Sequence, residues 1–231
     1  MKLRLTLTAN AGVILNFDEN SIVYGIDALH DTKTSDYSCL SPQQLTDTFA
    51  LMDEAVPDAL LVTHCHPDHY SAVLFEKAAE RYKDCCLIKP WSESEKKNRI
   101  YNVSGGKITA IPLAHRFPEQ YPGIENYGFI IEVGGKTVFV PGDAEPLSEK
   151  MMQLAGAIHP DAAIMPFLWT IFSRFRRVLD TLAPKNTAFL HLPFVGEDSR
   201  GYNHTALTAA GRYYPKAAVL NDFMQTVSFD L

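Results

Sequence analysis

Within six positions the chain places three imidazoles and a carboxylate, in the segment His64-Cys65-His66-Pro67-Asp68-His69. Neutral imidazole nitrogen and carboxylate oxygen are the donors that zinc, iron and manganese accept. The segment follows Thr63 and the apolar run Ala59-Leu60-Leu61-Val62. A short apolar run of this kind reads as a buried strand, so the donors open at a sheet edge that a metal and a substrate can both reach. The alternative is a histidine-rich surface loop that holds no ion.

The elements that would carry such a loop are legible on both sides of it. The first third reads as strands 2–8, 11–17 and 21–26, with turn chemistry in 16–20 between the last two. Ser41-Pro42-Gln43-Gln44 has the form of a helix start: Ser as cap, Pro at the first helical position, Gln at the third. Leu45, Thr48, Phe49 and Met52 then share one face. After strand 59–63 comes a helix with Leu74, Phe75, Ala78, Ala79 and Tyr82 inward, and a short strand 85–88. The second half predicts strands 107–113, 127–133 and 136–140, with Gly134-Gly135 as a tight hairpin turn. A helix at 147–155, a buried strand 162–165, an amphipathic helix 170–182 and strand 187–190 follow. A helix near 204–214 and strands 217–220 and 225–229 close the chain. Strands and helices interspersed through both halves predict an α/β layered fold.

His-x-His-x-Asp-His after an apolar strand resembles the metallo-β-lactamase superfamily. That resemblance implies further strand-end ligands, and each has a counterpart. His115 follows 107–113, Asp143 follows Thr137-Val138-Phe139-Val140 within Pro-Gly-Asp, and His191 follows Thr187-Ala188-Phe189-Leu190. Asp27, after 21–26, matches an early strand-end aspartate. Singly, His115 beside Arg116 reads as a surface pair, Asp143 as a turn residue and His191 as a strand-end residue; their joint placement favours the metal reading. Tyr24-Gly25 depart from the pattern, standing where relatives usually carry bulky aliphatics. The fold implied is a four-layer αββα sandwich, with residues 1–231 as one domain and the site along an edge between two sheets.

The resemblance also implies roles. His64, His66 and His115 would hold one divalent ion; Asp68, His69 and His191 would hold a second, with Asp143 bridging. Zinc is the expected metal, with manganese or iron as alternatives. Two ions roughly 3.5–4 Å apart can share a hydroxide and polarise the bond it attacks. Asp68 would also orient or deprotonate the water, and Asp27 would fix a ligand histidine through its other ring nitrogen. Among the remaining residues, His204 is a candidate acid or anion binder, and Arg116 a contact for an anionic substrate. His30 and Tyr121 lie in loops expected to line the mouth. Tyr37, Phe117, Phe194 and Tyr202 suggest a partly apolar pocket fit for a ring. Cys65 reads as a small packing residue, Arg174, Arg176 and Arg177 as a solvated helix face, and His159 has no assigned role.

Composition bounds the partners. The 231 residues are 46% hydrophobic with a net charge of −6. A chain of this length buries roughly 70% of its unfolded surface. The acidic balance argues against a nucleic-acid partner, since phosphate backbones require a basic face. It leaves room for a small, anionic substrate, because bound ions supply local positive charge. The first eight residues alternate like a strand rather than a signal peptide, and no apolar run approaches a membrane span. Cys39, Cys65, Cys85 and Cys86 fit a reduced, cytoplasmic chain. Oligomeric state is not legible.

Within the superfamily, the bridging Asp143 sets the chain apart from secreted antibiotic-destroying lactamases. About 40 residues after His191 are too few for the helical region of hydroxyacylglutathione hydrolases. The compact acidic chain lacks the basic arm of tRNA 3′-processing nucleases. His66 stands where flavo-diiron oxygen reductases have Glu. The remaining resemblance is to compact hydrolases such as the L-ascorbate-6-phosphate lactonase group and small phosphodiesterases, including the opening Ala9-Asn10-Ala11-Gly12-Val13. The activity implied is hydrolysis of a small phosphoester or lactone. The alternative is a mononuclear iron oxidoreductase of the persulfide-dioxygenase kind.

Overall fold

The computed structural model describes residues 1–231 apart from 19, 20, 35, 94 and 118, so the part of the 16–20 turn that falls on 19 and 20 lies outside the described residues. β1 (Lys2–Leu7), β2 (Val13–Phe17) and β3 (Ile22–Ile26) form an antiparallel meander. The chain's last strand, β13 (Thr226–Asp230), pairs with β1, while β4 (Ala59–Leu61) and β5 (Cys86–Ile88) run parallel beyond β3. The resulting sheet has the order β13-β1-β2-β3-β4-β5.

The second sheet begins with β6 (Arg99–Val103), β7 (Gly106–Ala114), β8 (Glu125–Val133) and β9 (Lys136–Val140), all antiparallel. It continues in parallel through β10 (Ala162–Pro166), β11 (Asn186–Leu190) and β12 (Ala218–Val219). Gly134 and Gly135 both take positive φ in the two-residue turn between Val133 and Lys136, which is where glycine costs least.

The two sheets face each other, and period-two alternation decides what lies between them. Leu61, Val138, Val140, Ala188 and Leu190 point into the inner core. Their neighbours Leu60 and Val62 face outward, where α1 (Pro42–Glu54) contributes Phe49 and Met52 and α2 (Ala72–Arg81) contributes Leu74, Phe75 and Ala78. On the other side Phe139, Ala163 and Phe189 meet Met151 and Ala155 of α3 (Glu149–Ala157) and Val178, Leu179 and Leu182 of α5 (Ser173–Leu182). The order of layers is therefore α, β, β, α, as the resemblance implied.

Local chemistry sets the boundaries. The start of α1 is a complete capping box: the Ser41 hydroxyl accepts from the Gln44 amide, and the Gln44 side chain accepts from the Ser41 amide. The single helix expected over 170–182 is corrected to two. α4 (Leu168–Ile171) stops at Phe172, which is extended (φ −88°, ψ 125°) and 43% exposed. The Arg176 guanidinium donates to the Thr170 and Ile171 carbonyls at 2.9 and 2.7 Å, occupying acceptors a continuous helix would use. Arg176 also lies over the Tyr213 ring at 3.9 Å, so it is not a purely solvated side chain.

The strand expected from residue 11 begins at Val13, because residues 9–12 close a turn (Gly12 N–H to Ala9 carbonyl, 3.1 Å). Edge strand β6 was not expected from the sequence. The unusual Tyr24-Gly25 pair has a packing explanation. The Tyr24 hydroxyl donates to the Ser104 carbonyl, and a Cβ on Gly25 would come within 2.6 Å of the Leu60 side chain. No helix among the described residues is long and apolar enough to cross a membrane.

Candidate metal centre

Every predicted ligand, and Asp27 as the expected support of one, sits just past the C-terminal end of a strand. Asp27 follows β3, the 64–69 loop follows β4, His115 follows β7, Asp143 follows β9 and His191 follows β11. The loop is closed by the His66 carbonyl, which accepts from the His69 and Tyr70 amides at 3.0 and 2.9 Å. Asp143 is set by Gly142, whose positive φ and lack of a side chain are both required. A Cβ there would lie 2.4 Å from the Asn126 carboxamide and 2.8 Å from Thr63 Cβ. Asn126, fully buried, accepts from the Asp143 amide (2.9 Å) and donates to the Pro141 carbonyl (2.9 Å). The Arg116 amide donates to the Asp143 carbonyl (2.8 Å), tying the His115 loop to the Asp143 loop.

The ligand atoms converge in three overlapping groups: His64, His66 and His115; His64, His69 and Asp143; and Asp68, His69 and His191. For His64, His69 and His115, hydrogen bonding fixes which nitrogen the ring presents. The Thr63 hydroxyl donates to Asp27 Oδ2 (2.6 Å), so it can only accept from His64 Nδ1 (3.0 Å), and His64 turns a bare Nε2 toward the cluster. His69 Nδ1 donates to Asp27 Oδ2 at 2.9 Å, and His115 Nδ1 donates to the Arg116 carbonyl at 2.6 Å. Both rings then aim Nε2 inward, as a metal ligand requires. His69 Nε2 meets His191 Nε2 at 2.9 Å, and His64 Nε2 meets His66 Nδ1 at 3.1 Å.

Asp143 divides its oxygens. Oδ1 lies 3.8 and 3.5 Å from the Nε2 atoms of His69 and His191, while Oδ2 lies 4.0 Å from His115 Nε2. His115 Nε2 and Asp143 Oδ1 are buried and have no hydrogen-bond partner. Orphaned lone pairs at these positions are costly unless something cationic satisfies them. The donor set therefore fits divalent ions.

The local field is consistent with this. Burial, with the field of the other imidazoles, lowers His64 well below the usual histidine range. Burial also pushes His115 down to about 4. For Asp143 burial acts upward, but His191, Arg116, His69 and His64 outweigh it and hold the carboxylate well below its ordinary value. Asp68 is held down in the same sense by His69 and His191 against its burial. The cluster thus presents charged carboxylates and mostly neutral imidazoles.

A cavity of about 370 Å³ opens over these ligands. Arg116 lines it, only 9% exposed, with its guanidinium 3.5 Å from Asp143 Oδ2. Tyr121 closes one side, edge-on to two ligand rings, with its ring centre 4.9 Å from that of His66 and 5.3 Å from that of His115. Tyr37, against His191 at 4.3 Å and stacked near Tyr202, forms the other side. Phe117 is also at the cavity, whereas Phe194 is buried against Phe223 and the inner core, so its expected place in the pocket wall is corrected.

Three further expectations are corrected. His204 is exposed in the first turn of α6 (Tyr202–Tyr213) and does not line the cavity; Tyr202 from the same turn does. His30 is not at the mouth but fully buried, and it does not line the cavity. Cys65 is exposed rather than packed, since the loop turns its neighbours inward. Sequence reasoning missed Asn126, Thr63 and Asn10. A polar residue inside an apolar strand, as at Asn126, was the available signal.

A sequence profile described as the beta-lactamase superfamily domain matches residues 18–181, well over half of the chain. The chain belongs to the β-lactamase superfamily. Among superfamily relatives, a metal-dependent hydrolase of Thermus thermophilus is 26% identical over 173 residues, covering 66% of this chain and 75% of the relative. Igni18, a metallo hydrolase of Ignicoccus hospitalis, superposes with a TM-score of 0.62 at 17% identity over 100% of both chains. An isothiocyanate hydrolase from Delia radicum gut bacteria gives 0.63 at 15% identity, again over 100% of both. The two superpositions speak to the fold, which this superfamily member shares.

Proposed function

We propose that this chain hydrolyses a small phosphoester or lactone at a centre of two divalent ions, zinc being the expected metal. The broader class, a metal-dependent hydrolase, rests on the family together with the ligand set. The observation that carries the two-ion reading is the division of Asp143: one oxygen faces His69 and His191, the other His115. His64, His66 and His115 would hold one ion, and Asp68, His69 and His191 the other, with Asp143 between them. When bound, such ions supply a hydroxide nucleophile near neutral pH and stabilise the negative charge that develops on the attacked group.

The chain's own residues supply the rest. Asp68 faces the cavity with its carboxylate held ionised, in position to orient a water or take its proton. Arg116 presents a fixed positive charge at the cavity wall, suited to a phosphate or carboxylate. Tyr121 and Tyr37 leave between them a space flanked by rings, suited to a substrate with an apolar or cyclic portion. Asp27 fixes the His69 ring and, through Thr63, the His64 ring.

Elemental analysis of protein purified without added metal or chelator tests the metal content, and a phosphoester and lactone screen tests the chemistry. About two equivalents of zinc or manganese, with turnover in that screen, is the expected result. About one equivalent of iron with no hydrolysis would overturn the reading in favour of an oxidoreductase.

A further inference from the structure

Beside the ligands, and outside the residues that line the cavity, lies a buried polar pair with no part in the reading above. Asn10 and His30 are both 0% exposed. Asn10 sits in the 9–12 turn between β1 and β2, and its backbone carbonyl accepts from the His191 amide at 2.7 Å. Its carboxamide nitrogen, oriented to donate, lies 2.7 Å from His30 Nε2, 3.1 Å from the Ser38 carbonyl and 3.3 Å from the Asp68 carbonyl.

We propose that Asn10, braced by His30, is a positioning residue for one metal position only, the one formed by Asp68, His69 and His191. The inference rests on the two-ion reading. Asn10 touches the backbone of two of that position's three ligands, Asp68 and His191, and neither bond involves a ligating atom. His191 needs such a restraint, because it holds a left-handed backbone (φ 66°) that a non-glycine residue adopts only when its surroundings impose it. The Ser38 hydroxyl adds a second tie by accepting from the Phe194 amide, three residues past His191 (2.8 Å).

The turn itself is seated. A Cβ on Gly12 would lie 2.5 Å from the Asp27 carbonyl oxygen, and the Thr8 hydroxyl donates to the Ala28 carbonyl. Out of water, each of these donors has no solvent to fall back on, so the bonds are strong restraints rather than interchangeable ones. His64 and His115, by contrast, are oriented by Thr63 and by the Arg116 carbonyl. No bond from Asn10 reaches them among the described residues.

The test is a cobalt(II) titration of chelator-stripped protein, followed by absorption and by competition with a chelator of known affinity. The unaltered chain is compared with Asn10→Ala, His30→Leu and His30→Gln. Loss of an outer hydrogen-bond partner commonly costs 10- to 100-fold in metal affinity. The expected result is a loss of about that size at one position in Asn10→Ala and His30→Leu, with the other position unchanged. His30→Gln, which keeps an acceptor for the Asn10 amide, should recover most of the loss. If the alanine variant does not fold, Asn10→Ser carries the same comparison.

Affinities in Asn10→Ala equal to those of the unaltered chain, or an equal loss at both positions, would overturn the proposal. Saturation at one equivalent of cobalt in the unaltered chain would instead sink the two-ion reading. The Asn10 comparison on that one ion would still decide whether the residue positions it.

Discussion

Asp27 and His69, 42 residues apart in sequence, meet at 2.9 Å with side chains only 3% and 2% exposed. The same carboxylate accepts from the Thr63 amide (2.8 Å) and the Thr63 hydroxyl (2.6 Å). It therefore sets the direction of every proton in a short chain ending at His64 and His69, although it belongs to none of the three candidate ligand groups. With His69 the opposing influences are plain: burial acts to lower its pKa, yet the hydrogen bond and charge of Asp27, with Asp68 and Asp143, raise it to about 9.

Asp27→Asn tests this ordering of protons. A carboxamide cannot accept at both oxygen positions, so either the Thr63 amide or the Thr63–His69 side loses its acceptor. On the second course His69 is driven to carry its proton on Nε2, where the metal should bind. The expected outcome is a 10- to 100-fold fall in affinity for at least one ion, read by chelator competition, with the fold retained by circular dichroism. Native affinity in Asp27→Asn would remove the carboxylate from the account.

Asp143→Ala should lose at least one ion per chain and most turnover, since its two oxygens face different histidines. It also leaves Arg116 without the carboxylate 3.5 Å away. Metal content by elemental analysis is the deciding measurement. Retention of both ions with full turnover would show that Asp143 bridges nothing.

Much of this centre was legible because metal ligation is local chemistry at strand ends. The 64–69 loop announces itself by residue type, and Asp27, Asp143, His115 and His191 each follow an apolar run that becomes a strand. What the sequence did not show are contacts made across the fold. His30 and His204 look alike as loop histidines. Yet one is fully buried against Asn10 and the other is exposed on α6, because burial depends on which loops the two sheets bring together. Asn126 and Asn10 carry no motif, and their value comes only from carbonyls and amides supplied by distant segments. The break at Phe172 was hidden for a similar reason, since the acceptors that end α4 are taken by a side chain, Arg176.

The cavity wall predicts how substrates are told apart. Arg116→Ala should raise KM for an anionic substrate by roughly 10- to 100-fold, the scale of a lost hydrogen bond to a charged group. It should change KM for a neutral lactone little. His204→Ala, outside the cavity, should leave both unchanged. Steady-state kinetics with matched anionic and neutral substrates, on protein of verified metal content, make the comparison. An equal effect of Arg116→Ala on both substrates would place its role with Asp143 rather than with substrate.

His30 gives a pH dependence whose sign can be worked out. Burial, with the nearby His69 and His191 rings and against the attraction of Asp68, lowers its pKa from 6.5 to about 3. The geometry agrees, because a ring that accepts from Asn10 at Nε2 is neutral. Between those two values the unfolded chain binds a proton that the folded chain does not, so stability increases with pH across the window and is lost as pH falls from about 6.5 toward 3. The slope from this one group is about 1.4 kcal/mol per pH unit at most. His30→Gln keeps the acceptor but cannot titrate. At pH 7 the two proteins should be similar in stability, and by pH 5 the variant should be the more stable by about 1–2 kcal/mol. Urea denaturation of metal-free protein at the two pH values checks this, because removing the ions separates the effect from protonation-driven metal release. Parallel loss of stability in both proteins would mean that His30 takes up its proton in the folded chain as readily as in the unfolded one.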